Sequence, residues 1–144
     1  MRIAVLGAGS IGCLIAAKLV EAGHDVLVHA RGEHGAVLAL SGLNVSGVWD
    51  FQIQPNQWTV SLDEAGIHPS LEKSFDQSII TCKAKDTEKL AEIAAQITDG
   101  PVLSLQNGLG NHEILSRYVF ENSAVGVTTN AVKRISPGQI EWVG

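Results

Sequence analysis

The sequence has only two cysteines among its 144 residues, and this scarcity excludes two classes of small protein. Cys13 and Cys82 are too few for a disulfide scaffold or for a zinc site built from cysteines. We therefore expect both to be reduced thiols in a cytoplasmic protein. The five histidines show no ligand spacing, so no metal site is expected.

The chain also lacks an excess of positive charge. It has 10 lysines and arginines against 15 aspartates and glutamates, which gives a formal net charge of -5. A protein that binds nucleic acid usually presents a basic face, whereas the cations here are scattered along the chain. The composition therefore excludes nucleic acid as a partner, and any anionic ligand must be met by cations placed locally.

A long uninterrupted apolar run is missing as well. The N-terminal stretch from Met1 to Val20 superficially resembles a signal peptide, but glycines break it and Lys18 and Glu21 interrupt it. A membrane-spanning helix needs about 18 or more consecutive apolar residues. We therefore expect neither secretion nor a membrane partner.

The N-terminus instead shows a strand, a glycine-rich turn, a helix and a second strand within about 30 residues. The apolar run 3–6 is typical of a buried parallel strand. The hexapeptide GAGSIG at 7–12 follows it, and apolar residues then recur at helical spacing until Gly23, a plausible C-terminal cap. The stretch HDVLVHA at 24–30 predicts the second strand. This context makes the hexapeptide a strong dinucleotide-binding motif.

Each glycine of the motif has a predicted task. Gly7 makes the tight turn out of the strand, Gly9 lets the backbone approach a pyrophosphate, and Gly12 lets the helix pack against the sheet. The helix N-terminus offers unpaired N–H groups to the phosphates. Arg31 follows the second strand, where an acidic residue would select NAD, and its guanidinium matches a 2′-phosphate. We therefore predict NADP as the cofactor.

The rest of the chain continues the alternation of strands and helices. Strands are predicted at 75–81, 102–106 and 123–129, and helices around Leu90–Ile97 and after Asn111. Shorter extended stretches are predicted around Phe51 and on both sides of Gly138. Residues 55–74 give no clear pattern, although SLDE at 61–64 is compatible with a capping box that opens one helical turn. This order predicts an α/β fold with a doubly wound, mostly parallel sheet of the Rossmann type, and residues 1–144 as one dinucleotide-binding domain.

Three further motifs follow predicted strands, where such a sheet binds its ligand. They are Lys83-Ala84, Asn107-Gly108-Leu109-Gly110, and the run GVTTNA at 126–131. Together with the glycine-rich turn, and in this order, they resemble the ketopantoate reductases (2-dehydropantoate 2-reductases). The four motifs span nearly the whole chain.

The resemblance implies a role for each matching residue. The motif residues Gly7, Ala8, Gly9, Ser10, Ile11 and Gly12 would contact the pyrophosphate. Arg31 and Lys83 would lie near the phosphate on the adenosine side, and Ala131 beside the cofactor. Asn107 would touch both the nicotinamide ribose and the substrate, although Asn107-Gly108 is also ordinary turn chemistry.

The resemblance also implies an activity: reduction of a 2-keto acid by NADPH, with 2-dehydropantoate as the expected substrate in pantothenate biosynthesis. The family places its proton donor in a helical C-terminal domain, which this chain does not include, so the catalytic residue is unknown and the chain alone is expected to be inactive. We also expect the last strand of the nucleotide domain to be missing. A homodimer remains open. Two alternatives are a non-catalytic NADP-sensing module and another β-hydroxyacid or sugar-nucleotide dehydrogenase.

Overall fold

The fold is described by a computed structural model that covers residues 1–81, 86–105, 123–126 and 131–144. The helices are α1 (Ser10–Glu21), α2 (Gly32–Ser41) and α3 (Thr87–Ile97). The strands are β1 (Arg2–Leu6), β2 (Asp25–Ala30), β3 (Leu43–Gly47), β4 (Phe51–Ile53), β5 (Thr59–Leu62), β6 (Gln77–Ile80), β7 (Val102–Leu105), β8 (Ser123–Gly126), β9 (Val132–Ser136) and β10 (Gln139–Trp142). No helix within these residues is long and apolar enough to cross a membrane.

The main sheet carries the predicted topology. Its strands within the described residues lie in the order β5-β2-β1-β6-β7-β8, and all neighbours are parallel. The chain runs outward from β1 to β2 and β5, then returns to β6 and continues on the other side. This reversal between β1 and β6 is the switch point of a doubly wound sheet, so the predicted fold class is confirmed.

The two faces of the main sheet have separate cores. On one face, α1 packs on β1 and β2, and the small sheet β4-β3-β10-β9 packs on α1 in turn. On the other face, α3 covers apolar side chains of β1, β6 and β7, including Leu6, Ile80 and Val102. Helices or a second sheet therefore cover both faces, as a parallel sheet requires.

The interpretation of residues 55–74 was partly wrong. Ser61 and Leu62 do not cap a helix but belong to β5, which pairs with β2 at the edge of the main sheet. The predicted single turn exists as a 3-10 turn at Asp63–Ala65, without a side-chain cap. The sequence signal was weak because β5 is an edge strand with only half-buried or exposed side chains.

The small sheet was predicted only in pieces. The expected extended stretches around Phe51 and on both sides of Gly138 are present, and Gly138 turns the β9–β10 hairpin with a φ of +77°. The strand β3 and its parallel pairing with β10 were not predicted. The helix expected after Asn111 lies outside the described residues.

Candidate functional site

A cleft of about 1000 Å³ lies at the carboxyl ends of the strands around the switch point. It is bordered by the loops that follow β1, β2, β5 and β6, and residues from α3 and the β9–β10 hairpin complete it. Its lining includes Gly7, Ala8, Gly9, Ser10, Ile11, His29, Arg31, Glu64, Thr81, Asp86, Lys89 and Arg134. Ligands bind at this position in open α/β sheets.

The glycine-rich loop between β1 and α1 forms the floor of this cleft. Gly7 has a φ of +108°, which side chains rarely tolerate, and its carbonyl accepts a 2.7 Å hydrogen bond from the Thr81 hydroxyl. A β-carbon on Gly12 would overlap the Gly7 carbonyl oxygen and the Thr81 hydroxyl. The loop, α1 and the end of β6 therefore pack so closely that only glycine fits at position 12.

Gly9 differs from Gly12, because its own β-carbon would meet no atom within 4 Å. Gly9 is also the N-cap of α1, which has no side-chain cap and no acidic residue in its first turn. The first N–H groups of a helix have no intrahelical acceptor and carry the positive end of its dipole. The glycine-rich loop thus leaves space and donors for an anionic group, as a pyrophosphate requires.

A buried histidine connects the glycine-rich loop to the small sheet. The His34 Nε2–H donates to the Ala8 carbonyl over 2.7 Å, and its Nδ1 accepts from the Gly138 N–H over 3.0 Å. A carbonyl only accepts and a backbone N–H only donates, so these contacts define a neutral imidazole. Burial lowers the pKa of His34, and the nearby Arg134 charge acts in the same direction.

The thiol of Cys13 lies beside this histidine. Its Sγ is 3.5 Å from the His34 Nε2 and 3.4 Å from the Ala8 carbonyl oxygen. Burial raises the pKa of Cys13 to about 12. The side chain therefore remains a protonated thiol and is not suited to act as a nucleophile.

Arg31 lies at the β2 side of the cleft, as predicted, but it has a partner. Its guanidinium contacts both carboxylate oxygens of Asp86, over 3.3 and 3.5 Å. The N–H of the next residue, Gly32, donates to the Glu64 carboxylate over 2.6 Å, and this contact lowers the pKa of Glu64. Two donors at this edge are therefore engaged by carboxylates.

A second cluster of polar side chains, His29, Asp63 and Lys89, lines the same cleft. The Asp63 carboxylate accepts from Lys89 Nζ over 2.7 Å and from His29 Nε2 over 3.2 Å. Nδ1 of the same histidine is 2.9 Å from the Ser61 hydroxyl, which donates to it in the neutral imidazole. The hydrogen bond from Lys89 is the main reason why the pKa of Asp63 is lowered. Asp63 is thus held as a carboxylate.

The structure brings together part of the predicted site. Ser10, Ile11 and Arg31 line the cleft with the glycine-rich loop. Ala131 does not line it, and its backbone instead pairs with Val143 and Gly144. Lys83 and Asn107 lie outside the described residues.

Several residues of the cleft were missed at the sequence level. Asp63 and Glu64 follow β5, which was not recognised as a strand. Asp86 stands in the motif TCKAKDT but was given no role, and His34 acquires its partners from distant segments. Recognition of β5 would have placed Asp63 and Glu64 at the carboxyl edge of the sheet.

The comparison with protein families agrees with this arrangement. The family model described as ketopantoate reductase PanE/ApbA matches residues 3–144. The chain belongs to this family. Among curated ketopantoate reductases, it is 35% identical over 143 residues to the 2-dehydropantoate 2-reductase of Archaeoglobus fulgidus and 34% identical over 146 residues to that of Pyrococcus abyssi.

Solved structures give the same result for the fold. A D-mandelate dehydrogenase, solved with NADH and anilino(oxo)acetate, superposes with a TM-score of 0.86 at 26% identity. A 2-dehydropantoate 2-reductase from Geobacter metallireducens superposes with a TM-score of 0.82 at 28% identity. Both alignments cover 100% of this chain and 46% of the other.

The chain spans less than half of the length of these ketopantoate reductases. The alignment with the Archaeoglobus protein covers 99% of this chain and 44% of that protein. The alignment with the Pyrococcus protein covers 100% of this chain and 45% of that protein. The matched region is the part that carries the glycine-rich loop and the cleft.

Proposed function

We propose that this chain is the cofactor-binding part of a reductase that converts 2-dehydropantoate to pantoate with NADPH, in the cytoplasm. The family supports this reaction, because its curated relatives are 2-dehydropantoate 2-reductases. The observation that carries the proposal is the glycine-rich loop, which opens onto the cleft at the switch point of the sheet. A homodimer is compatible with this proposal and is not needed for it.

The residues of this chain bind and orient the cofactor. The first N–H groups of α1 receive the pyrophosphate, and Gly9 leaves the space for it. When bound, a nicotinamide cofactor supplies the hydride that the keto carbon of the substrate accepts. The resemblance further assigns Lys83 to the adenosine-side phosphate and Asn107 to the nicotinamide ribose and the substrate.

Arg31 supports NADP rather than NAD in this proposal. It follows β2 and lines the cleft, where a guanidinium can form paired hydrogen bonds to a 2′-phosphate. The side chain is 62% exposed and therefore accessible to a ligand. The alternative is an NAD-dependent 2-hydroxyacid dehydrogenase, which the similarity to D-mandelate dehydrogenase solved with NADH favours.

The substitution Arg31→Asp tests the cofactor. It should remove a charge-assisted contact of roughly 1.5 to 3 kcal/mol, which weakens NADPH binding about 10- to 150-fold and leaves NADH binding unchanged or improved. Aspartate is also a favoured N-cap, the position of Arg31 on α2, so the fold should be kept. Fluorescence titration with both cofactors measures the two dissociation constants.

Lys133→Glu is the matched control, because it makes the same change of charge on the exposed surface of β9, outside the cleft. It should leave both dissociation constants unchanged. An unaltered ratio of NADPH to NADH affinity in Arg31→Asp would contradict the assignment of NADP and favour the NAD-dependent alternative.

A further inference from the structure

Carboxylates of the chain itself contact the cationic and N–H donors at the β2 side of the cleft. The Asp86 carboxylate contacts both terminal nitrogens of the Arg31 guanidinium, and the Glu64 carboxylate accepts a hydrogen bond from the Gly32 N–H. The ammonium group of Lys89 is held by Asp63. These cationic and N–H donors are those that a 2′-phosphate would need. A phosphate that enters here must therefore compete with carboxylates of the chain itself.

Asp86 is the residue that contacts Arg31 directly, and it comes from the other half of the sheet. It stands immediately before α3, beyond β6, whereas Arg31 follows β2. The two residues are 55 positions apart in sequence, and both line the cleft. The carboxylate of Asp86 is 22% exposed, so it is partly shielded from water while it faces the guanidinium.

Helix capping does not explain the position of the Asp86 carboxylate. Asp86 is the N-cap of α3, but its side chain makes no capping hydrogen bond. Both of its oxygens instead face the two terminal nitrogens of Arg31, over 3.5 and 3.3 Å, and a phosphate also binds a guanidinium through two oxygens. The carboxylate thus lies where an anionic ligand of Arg31 would bind.

We propose that Asp86 is a specificity-determining residue that reduces the discrimination between NADPH and NADH by competing with the 2′-phosphate for Arg31. This inference rests on the proposed function, since it takes the cleft as the cofactor site. The competition is selective. A 2′-phosphate must displace the carboxylate and lie near its negative charge, whereas the 2′-hydroxyl of NADH needs no cation.

The substitution Asp86→Asn tests this role. It removes the charge and keeps the shape of the side chain, and asparagine is as good an N-cap as aspartate. NADPH should bind about three- to tenfold more tightly at low ionic strength, because an exposed ion pair and a like-charge contact are both removed. NADH affinity should change by less than about twofold, and the gain for NADPH should shrink at high salt.

Titrations of the chain with NADPH, NADH, 2′,5′-ADP and 5′-AMP measure these effects without any turnover. Asp50→Asn is the matched control, because Asp50 is exposed beside the small sheet and does not line the cleft. It loses the same charge and should change none of the four affinities. Asp86→Ser, a second variant with a favoured N-cap, should reproduce the result if Asp86→Asn unfolds.

Unchanged or weaker NADPH binding in both folded variants would overturn the role of Asp86, as would an equal gain for NADPH and NADH. Arg31→Ala separates this failure from that of the proposed function. If Arg31→Ala leaves NADPH binding intact, the NADP assignment itself is wrong. If it weakens NADPH binding and Asp86→Asn has no effect, only the role of Asp86 is wrong. In the Arg31→Ala background, the gain from Asp86→Asn should be clearly smaller.

Discussion

At the residue scale, His34 shows how a single side chain can join two parts of the molecule. Its imidazole links the Ala8 carbonyl of the glycine-rich loop to the Gly138 N–H of the β9–β10 turn. These partners are 26 and 104 residues away in sequence. No local pattern could have predicted them, because the residue looks like an ordinary helix position until the small sheet is placed on α1.

The two hydrogen bonds of the neutral His34 imidazole should make the free energy of unfolding depend on pH. Burial lowers the pKa of His34, so below about pH 6.5 the unfolded chain takes up a proton more readily than the folded one. The contribution of His34 to the free energy of unfolding is therefore fully present above the pKa that His34 has in the unfolded chain, and it is lost as the pH falls below that value. Protonation would also remove the acceptor at Nδ1 that the Gly138 N–H uses.

His34→Gln isolates this effect, because glutamine offers a donor and an acceptor but no titration in this range. Urea unfolding of both proteins between pH 7.5 and about pH 5 measures the free energy of unfolding. The wild-type protein should lose more stability over this interval than the variant. Equal pH dependence in both proteins would show that His34 does not titrate differently in the folded state. Cys13 does not interfere, since its pKa is about 12.

At the element scale, the first strand, helix and second strand were predictable, whereas the strand β3 and the pairing within the small sheet were not. The apolar run of β1, the glycines and the helical spacing of α1 all lie within one continuous segment. The strands β3 and β10 instead pair with each other across most of the chain. Apolar and polar residues do alternate in both strands, but each strand is short, and their pairing joins segments that are distant in sequence, which no local pattern can show.

The contact between α1 and the main sheet gives a prediction for Gly12. Gly12→Ala should lower the free energy of unfolding by about 1 to 3 kcal/mol, because the added methyl group overlaps the Gly7 carbonyl and the Thr81 hydroxyl. Gly9→Ser is the matched control, since that position is open and serine is a favoured N-cap. Urea unfolding measures both variants. Equal stabilities would contradict the close packing at Gly12.

At the scale of the whole molecule, the sequence predicted the fold class and the part of the cleft that the glycine-rich loop forms. The doubly wound sheet follows from the order of the elements, and the glycine-rich loop is contiguous in sequence. The acidic residues of the lining that the sequence did not predict, Asp63, Glu64 and Asp86, follow other strands. The sequence argument for NADP considered only the residue after β2, and the fold adds three acidic neighbours to it.

The carboxylates of Asp63, Glu64 and Asp86 add to the repulsion that a chain of net charge -5 exerts on an anionic ligand. An acidic chain must meet a polyphosphate with local donors, and the structure shows such donors at the N-terminus of α1 and at Arg31. The carboxylates at the β2 side offset part of that attraction. We therefore propose that the glycine-rich loop binds the pyrophosphate and that Arg31 and Asp86 set the choice between the two cofactors.

We propose above all that the glycine-rich loop holds the pyrophosphate of a dinucleotide, and Gly9→Asp tests this role most directly. Aspartate is a favoured N-cap beside the positive end of a helix dipole, and the position is open, so the thermal midpoint should be unchanged or higher. Its carboxylate would occupy the space of the pyrophosphate, and such like-charge contacts cost several kcal/mol. Gln139→Glu is the matched control, because it adds the same charge on the exposed surface of β10, and it should change neither the thermal midpoint nor the affinity for either cofactor. Titration of both folded variants should show NADPH and NADH binding weakened at least about 100-fold in Gly9→Asp alone, and wild-type affinity in that variant would contradict the account.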